Sequence, residues 1–313
     1  MSTSNLSVAR KVEAADSGAH PELGAVRWGR DLNAALAQSR ASGKPVAVLF
    51  DEVPGCARCV GFGEQVLSQP LIVDAIESEF EPVFVHNNRE GADAAMLARF
   101  HEPASNNPVL RFLDAEGRDV IPRRDALYAP HEIAARLAEA LRATRRPVPA
   151  YLDVAIEETH LAGHKQAVFG MSCFWEGEAA LGRLDGVVAT EAVWLDGKEA
   201  VEVTFDSTRL SFAALTRAAV AQQAASHVFA RDDRQLADAH AVVGTHGVRT
   251  NERGRPAPEA DRKFYLSRSP LRALPLSPLQ ATRINAALHE GSDALRWLSP
   301  RQRERAKRLT ASR

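Results

Sequence analysis

Three cysteines are the residues of this chain best suited to chemistry, and their spacing divides them into two sites. Cys56 and Cys59 form a C-x-x-C at the start of a helical stretch. The positive end of a helix dipole favours a thiolate, so the first thiol can act as a nucleophile near neutral pH. The second, one turn on, can attack a mixed disulfide and release the first. The same pair could bind a metal, but zinc takes four ligands and no second C-x-x-C or clustered histidine pair follows. A soft monovalent ion such as copper(I) needs fewer, so a thiol-based metal or redox sensor stands beside the redox reading. The third thiol, Cys173, ends an apolar strand and opens a helix, with Phe174 and Trp175 directly after it. Two aromatics beside a nucleophile can wall an apolar pocket, or they can be ordinary core. His227, His240 and His246 have spacings that match no helical or zinc-finger pattern, so they read as surface or supporting groups.

Periodicity then gives the elements that must carry these residues. Residues 1–27 read as a flexible leader. A helix is expected over DLNAALAQSRASGK, with Asp31 as N-cap and Gly43 as stop. The run PVAVLF reads as a buried central strand, which places Cys56 and Cys59 between a strand and the next helix. Helical text follows, interrupted at Pro70. EPVFVHNN reads as a second buried strand and ADAAMLARFH as a helix. PVLRFLD and the stretch beyond the turn at EGRD read as two more strands, and residues 131–146 as a closing helix. Residues 28–147 thus form an α/β unit with a partly parallel sheet. A proline-bearing joint, RRPVPAYLDV, leads to a second, α+β unit at 152–250 with split β-α-β character. Its strand HKQAVFGMS runs into the helix CFWEGEAALGRLDG, which Gly186 ends; two strands and the helix SFAALTRAAVAQQAA follow. Residues 251–313 read as a basic, proline-containing helical extension. Its helix starts at Ser277-Pro278 and Ser299-Pro300 each pair an N-cap with proline at the first helical position.

Two family resemblances attach to these units. Val53, Pro54, Gly55 and Cys56, with Asn107-Pro108 ahead of the strand VLRFLD, make residues 28–147 resemble a thioredoxin-like domain, close to bacterial variants bearing Val-Pro-Gly-Cys or Val-Pro-Gly-selenocysteine. The resemblance implies a cis-proline at Pro108 facing the thiols, and Cys59 supplies a dithiol where selenocysteine relatives often have threonine. In the second unit, Ser172-Cys173-Phe174-Trp175 resembles the Gly-Cys-Phe-Trp signature of the peptide methionine sulfoxide reductase A (MsrA) family, and the likeness continues over about residues 165–225. It implies a ferredoxin-like α+β fold with Cys173 as nucleophile and Glu199 as proton donor to the departing oxygen. Phe174 and Trp175 would hold the S-methyl group. Trp194 stands where that family has a substrate-facing tyrosine, and Asp232 falls in a worn copy of a later substrate-binding segment.

Composition bounds the rest. With 313 residues, 45% hydrophobic and 25% charged, the chain has the make-up of about two globular domains. No apolar run approaches the roughly 18 residues a membrane span needs, and the N-terminal text lacks the apolar core of a secretory signal, so a cytoplasmic protein is expected. The net charge of −1 hides an asymmetry: residues 251–313 hold 14 Lys and Arg against 6 Asp and Glu, leaving 25 against 34 elsewhere. Such a segment can fold back on an acidic body or meet a partner. No nucleic-acid-reading motif accompanies it, so no nucleic acid is expected. The function these readings predict is a thiol-dependent oxidoreductase that reduces methionine sulfoxide, or a related sulfoxide, at Cys173. The Cys56–Cys59 pair would regenerate it, and an external thiol or a thioredoxin-reductase-type donor would supply electrons. No cofactor and no metal are expected. The alternatives are a general thiol–disulfide oxidoreductase and the thiol-based sensor.

Overall fold

In a computed structural model, residues 20–104 and 108–311 are described. The chain divides into two units, Met1–Val148 and Pro149–Arg313. The first begins with a short 3-10 turn, Pro21–Leu23, then runs α1 (Leu32–Ser42), β1 (Val46–Asp51), α2 (Ala57–Gln65), α3 (Pro70–Glu79), β2 (Glu81–His86), α4 (Ala92–Phe100), β3 (Val109–Leu113) and α5 (Pro130–Ala143). Helix α1 starts where the sequence says: the Asp31 carboxylate accepts from the Ala34 N–H at 3.0 Å, and Gly43 closes it in the left-handed region at φ 71°. Pro70 begins a helix of its own, α3, because a proline at the first helical position forfeits no helical hydrogen bond.

Strand β1 is the centre of a three-stranded sheet ordered β2-β1-β3, parallel to β2 and antiparallel to β3. All six of its residues are buried, which is why its text is a continuous apolar run rather than an alternation. Burying each of its large side chains contributes roughly 1.5–3 kcal/mol. The last residue of the strand, Asp51, is buried with them.

Three expectations for this region change. The chain is already ordered before residue 27: Leu23 and Val26 are buried, and the Ala25 N–H bonds to the Leu67 carbonyl. Residues 1–19 of the expected leader lie outside the described residues. The strand expected beyond EGRD is a single bridge, Leu113 to Asp119. Asp114 holds a tight turn by accepting from the Glu116 and Arg118 N–H groups, and Pro122 then removes a ladder donor. The joint RRPVPAYLDV is half helix, since α6 (Ala150–Thr159) begins one residue after Pro149.

The second unit continues with β4 (His164–Gly170), α7 (Phe174–Gly182), β5 (Val187–Leu195), β6 (Lys198–Asp206), α8 (Phe212–Ala221), β7 (His227–Ala230), α9 (Asp233–Val243), β8 (Gly247–Arg249), β9 (Arg255–Pro256), α10 (Phe264–Ser267), α11 (Pro278–Glu290) and α12 (Pro300–Ala311). Its six-stranded sheet is ordered β8-β7-β4-β6-β5-β9, antiparallel except for the β7–β8 pair. β5 and β6 form a hairpin whose two-residue turn, Asp196-Gly197, has both φ angles positive, as a primed turn requires.

The C-terminal helical region is built into this unit. The Arg283 guanidinium donates to the carbonyls of Gly182 at the end of α7, of Leu184 in the turn that follows and of Val187 at the start of β5. The Lys263 ammonium meets the fully buried Glu178 carboxylate at 2.7 Å and also bonds Thr190. Ser277 caps α11 reciprocally with Gln280, and the Ser299 hydroxyl accepts from the Gln302 N–H ahead of α12. Among the described residues, no helix is long and apolar enough to cross a membrane.

Candidate redox site

The Val53–Gly55 loop carries the chain from the buried end of β1 to the first turn of α2, and Cys56 is the N-cap of that helix. Its sulfur is exposed. The Cys59 N–H, the Cys59 thiol and the Arg58 N–H all favour the thiolate and hold the Cys56 thiol below its ordinary range. Cys59 is fully buried, with its sulfur 3.3 Å from that of Cys56. Burial, and the negative charge of Asp51 behind it, push the Cys59 thiol up to about 12. Gly55 is required at this corner: a Cβ there would sit 2.2 Å from the Glu52 carbonyl oxygen and 2.7 Å from Cys59 Cβ.

Two buried ionisable residues at the ends of β1 and β2, Asp51 and His86, were not singled out in the sequence. Asp51 is fully buried, with one carboxylate oxygen accepting from the Glu52 N–H at 2.8 Å and the other lacking a hydrogen-bond partner. Burial raises its carboxyl to about 7, with the charges of Glu22 and Glu52 adding to the shift. His86 stands opposite Asp51 in the β1–β2 register and is held down to about 4 by burial and by the charges of Arg30 and Arg89. A polar residue ending a wholly apolar strand next to a C-x-x-C was the available signal for Asp51.

Pro108 is buried directly ahead of β3, but its bond to Asn107 lies outside the described residues. The cis peptide bond among the described residues is Val53–Pro54. Glu52 and the two sulfurs bring donor atoms within 4.8 Å of one another. Two thiolates on one tetrahedral metal with bonds of roughly 2.3 Å would lie about 3.8 Å apart. The observed separation of the two sulfurs is 3.3 Å.

In the second unit, Cys173 is the N-cap of α7 and half-buried. The Glu199 carboxylate accepts from the Phe174 N–H at 2.8 Å, so it lies at the same helix end. Glu199 pairs across the hairpin with Trp194, whose ring meets Phe174 edge-on at 5.6 Å. Cys173, Glu199, Phe174, Trp175 and Trp194 are therefore gathered in one place. Phe174 is 3% exposed and belongs to the core, whereas the Trp175 ring is stacked by Phe264 at 3.8 Å. Asp232 is elsewhere. The antiparallel β4–β7 register sets His227 opposite Gly170 and Phe229 opposite Val168, so the chain beyond β7 heads away from Cys173. There Asp232 caps α9 by accepting from the Gln235 N–H.

A family profile described as thioredoxin-like matches residues 27–115, and those residues, with the Cys56–Cys59 pair, are a thioredoxin-like domain. Among solved structures the chain is similar to a protein described as DsbH oxidoreductase, at 21% identity and a TM-score of 0.32, over 45% of this chain and 95% of that one. No curated protein matches the chain. None of these comparisons shows the sulfoxide reductase A resemblance of the second unit.

Proposed function

We propose that this chain is a thiol–disulfide oxidoreductase, with Cys56 as the attacking and Cys59 as the resolving thiol. The observation that carries the reading is the asymmetry of the pair: an exposed sulfur favoured as thiolate, 3.3 Å from a buried one held as thiol. The Cys56 thiolate attacks one sulfur of a client disulfide, that S–S bond breaks, and the departing client thiolate takes a proton. Cys59 then attacks the Cys56 sulfur of the mixed disulfide, giving up its proton to the Asp51 carboxylate behind it. The client leaves with two thiols and the protein carries a Cys56–Cys59 disulfide, which an external thiol donor reduces. The test is reaction of the reduced protein with a disulfide-bonded peptide, followed by intact mass. The wild type should lose two hydrogens as the peptide is reduced. Cys59→Ser should accumulate a peptide adduct on Cys56, and Cys56→Ser should do neither. Absence of adduct and of peptide reduction would overturn the reading.

A second reading rests on the placing of Glu199 at the helix end that Cys173 caps. A thiolate at Cys173 would attack the sulfur of methionine sulfoxide, with Glu199 protonating the departing oxygen. Methionine would leave and Cys173 would become a sulfenic acid. A thiol, from Cys56 or from an external donor, would then form a disulfide with Cys173 and release water. Production of methionine that Cys173→Ser abolishes, and that Glu199→Gln slows at least about 100-fold, supports this reading. Absence of methionine leaves disulfide exchange alone.

A further inference from the structure

The segment ahead of residue 27, outside the matched thioredoxin-like stretch, reaches the thiol site. Its 3-10 turn lies against α2 at Gly63, where a Cβ would fall 1.9 Å from the Pro21 carbonyl oxygen and 2.6 Å from the Glu22 backbone. A glycine there lets two backbones touch. The close approach carries Glu22 under the loop between β1 and α2, where it is 3% exposed. One oxygen of its carboxylate accepts from the Gly55 N–H at 2.7 Å. The other is buried with no hydrogen-bond partner, as is one oxygen of Asp51.

We propose that Glu22 is a positioning residue of the Cys56–Cys59 site: its carboxylate fixes the backbone one residue ahead of Cys56 and sets a second buried negative charge against Asp51. A buried carboxylate without a cation normally costs stability, and among the described residues no Lys or Arg bonds to either of these two. The site keeps two of them where one would suffice for packing. The groups around Asp51 are Glu22, Glu52 directly after β1, Cys59 on α2, and His86 opposite it at the end of β2. Each Glu22–Asp51 partner has one oxygen tied to a loop N–H and one turned to the interior. The Glu22 charge favours the protonated form of Asp51, and so bears on the readiness of Asp51 to take the Cys59 proton. As a role, this rests on the disulfide-exchange reading given above.

The experiment reads the two effects separately, in the full reduced chain. Carbon-13 carboxyl titration follows Asp51 in the wild type and in Glu22→Gln, whose amide oxygen can still accept from Gly55. The Asp51 midpoint should fall by about half a pH unit or more on losing the charge. An unchanged midpoint overturns the proposal. Hydrogen exchange at the Gly55 amide should be protected in the wild type and in Glu22→Gln, and at least about 10-fold faster in Glu22→Ala. An unprotected Gly55 in the wild type overturns the backbone half. Should Glu22→Gln not fold, Glu22→Ala serves in the same titration: an Asp51 midpoint unchanged from the wild type overturns the coupling. Neither readout uses turnover. A wild type inactive toward disulfides sinks the function while leaving Glu22 placed, and the converse outcome sinks only Glu22.

Discussion

At the level of single residues, the redox pair works through contrast. One sulfur meets solvent at a helix start and the other is sealed against a buried acid, so their proton affinities separate in opposite directions. Asp51 and His86 impose opposite pH dependences on stability. The Asp51 carboxyl rises from an ordinary 3.8 to about 7, so its contribution is full below about pH 4 and is lost as pH climbs through 7. His86 falls from 6.5 to about 4, so its contribution is full above 6.5 and is lost as pH drops through 4. Between about pH 4 and 6.5 the two offset each other. Asp51→Asn should expose the histidine slope: denaturant unfolding should show the variant losing on the order of 2 kcal/mol on acidification across that window, with a flatter curve for the wild type. Asp51→Asn should also slow the Cys59 resolving step by about 10-fold or more near pH 7, read as a longer-lived mixed disulfide. The C-x-x-C itself was plain in the sequence. Asp51 was not, because a terminal acid on an apolar run reads as the beginning of a loop, and only the sheet register shows that it stays inside.

Among the elements, most boundaries were written in the residues that start and stop helices. Asp31, Gly43, Pro70, Ser277 and Ser299 all act as their types suggest, since caps are satisfied locally and need no tertiary knowledge. What failed depended on distant partners. The 3-10 turn at Pro21–Leu23 has too few residues to show a period and is held by Gly63 on α2, so the text ahead of residue 27 looked like leader. Gly63→Ala should drive that turn off α2 and cost roughly 1–3 kcal/mol. The Gly55 amide should lose its protection with it, since Glu22 is carried away. Retained protection would mean that the Glu22 bond survives without the close approach. Near Cys173, Glu199 accepts from the Phe174 N–H at the start of α7, while Asp232 serves a helix cap at the far end of β4.

For the whole molecule, the fold divides between Val148 and Pro149, and each half has its own buried cluster. The region after residue 250 was legible as helices but not as part of a body. It has an apolar cluster of its own around Leu271, Ile284 and Leu298, but several of its ties to the rest of the unit are polar: Arg283 on three carbonyls and Lys263 on Glu178, with Asn285 accepting from the Tyr265 and Leu266 N–H groups. A hydrophobic pattern cannot announce such contacts. Arg283→Ala should remove a donor from the carbonyls between the end of α7 and the start of β5 and cost the second unit about 3 kcal/mol, seen as a lower thermal midpoint. A chain ended after residue 250 should lose the native circular dichroism of the second unit outright. A native-like spectrum from that truncation would show that the six-stranded sheet closes without the extension.

The three bonds of Arg283 also bear on how the protein is made. Translation releases about 5–20 residues per second, so an arginine some 135 residues past Val148 emerges roughly 7–27 s after the first unit is complete. Throughout that interval the nascent second half lacks the donor that α7, its following turn and β5 share, and its sheet lacks a helix that packs on it. The first unit is finished while the second is not, and slow codons or a scarce chaperone would be felt in the second.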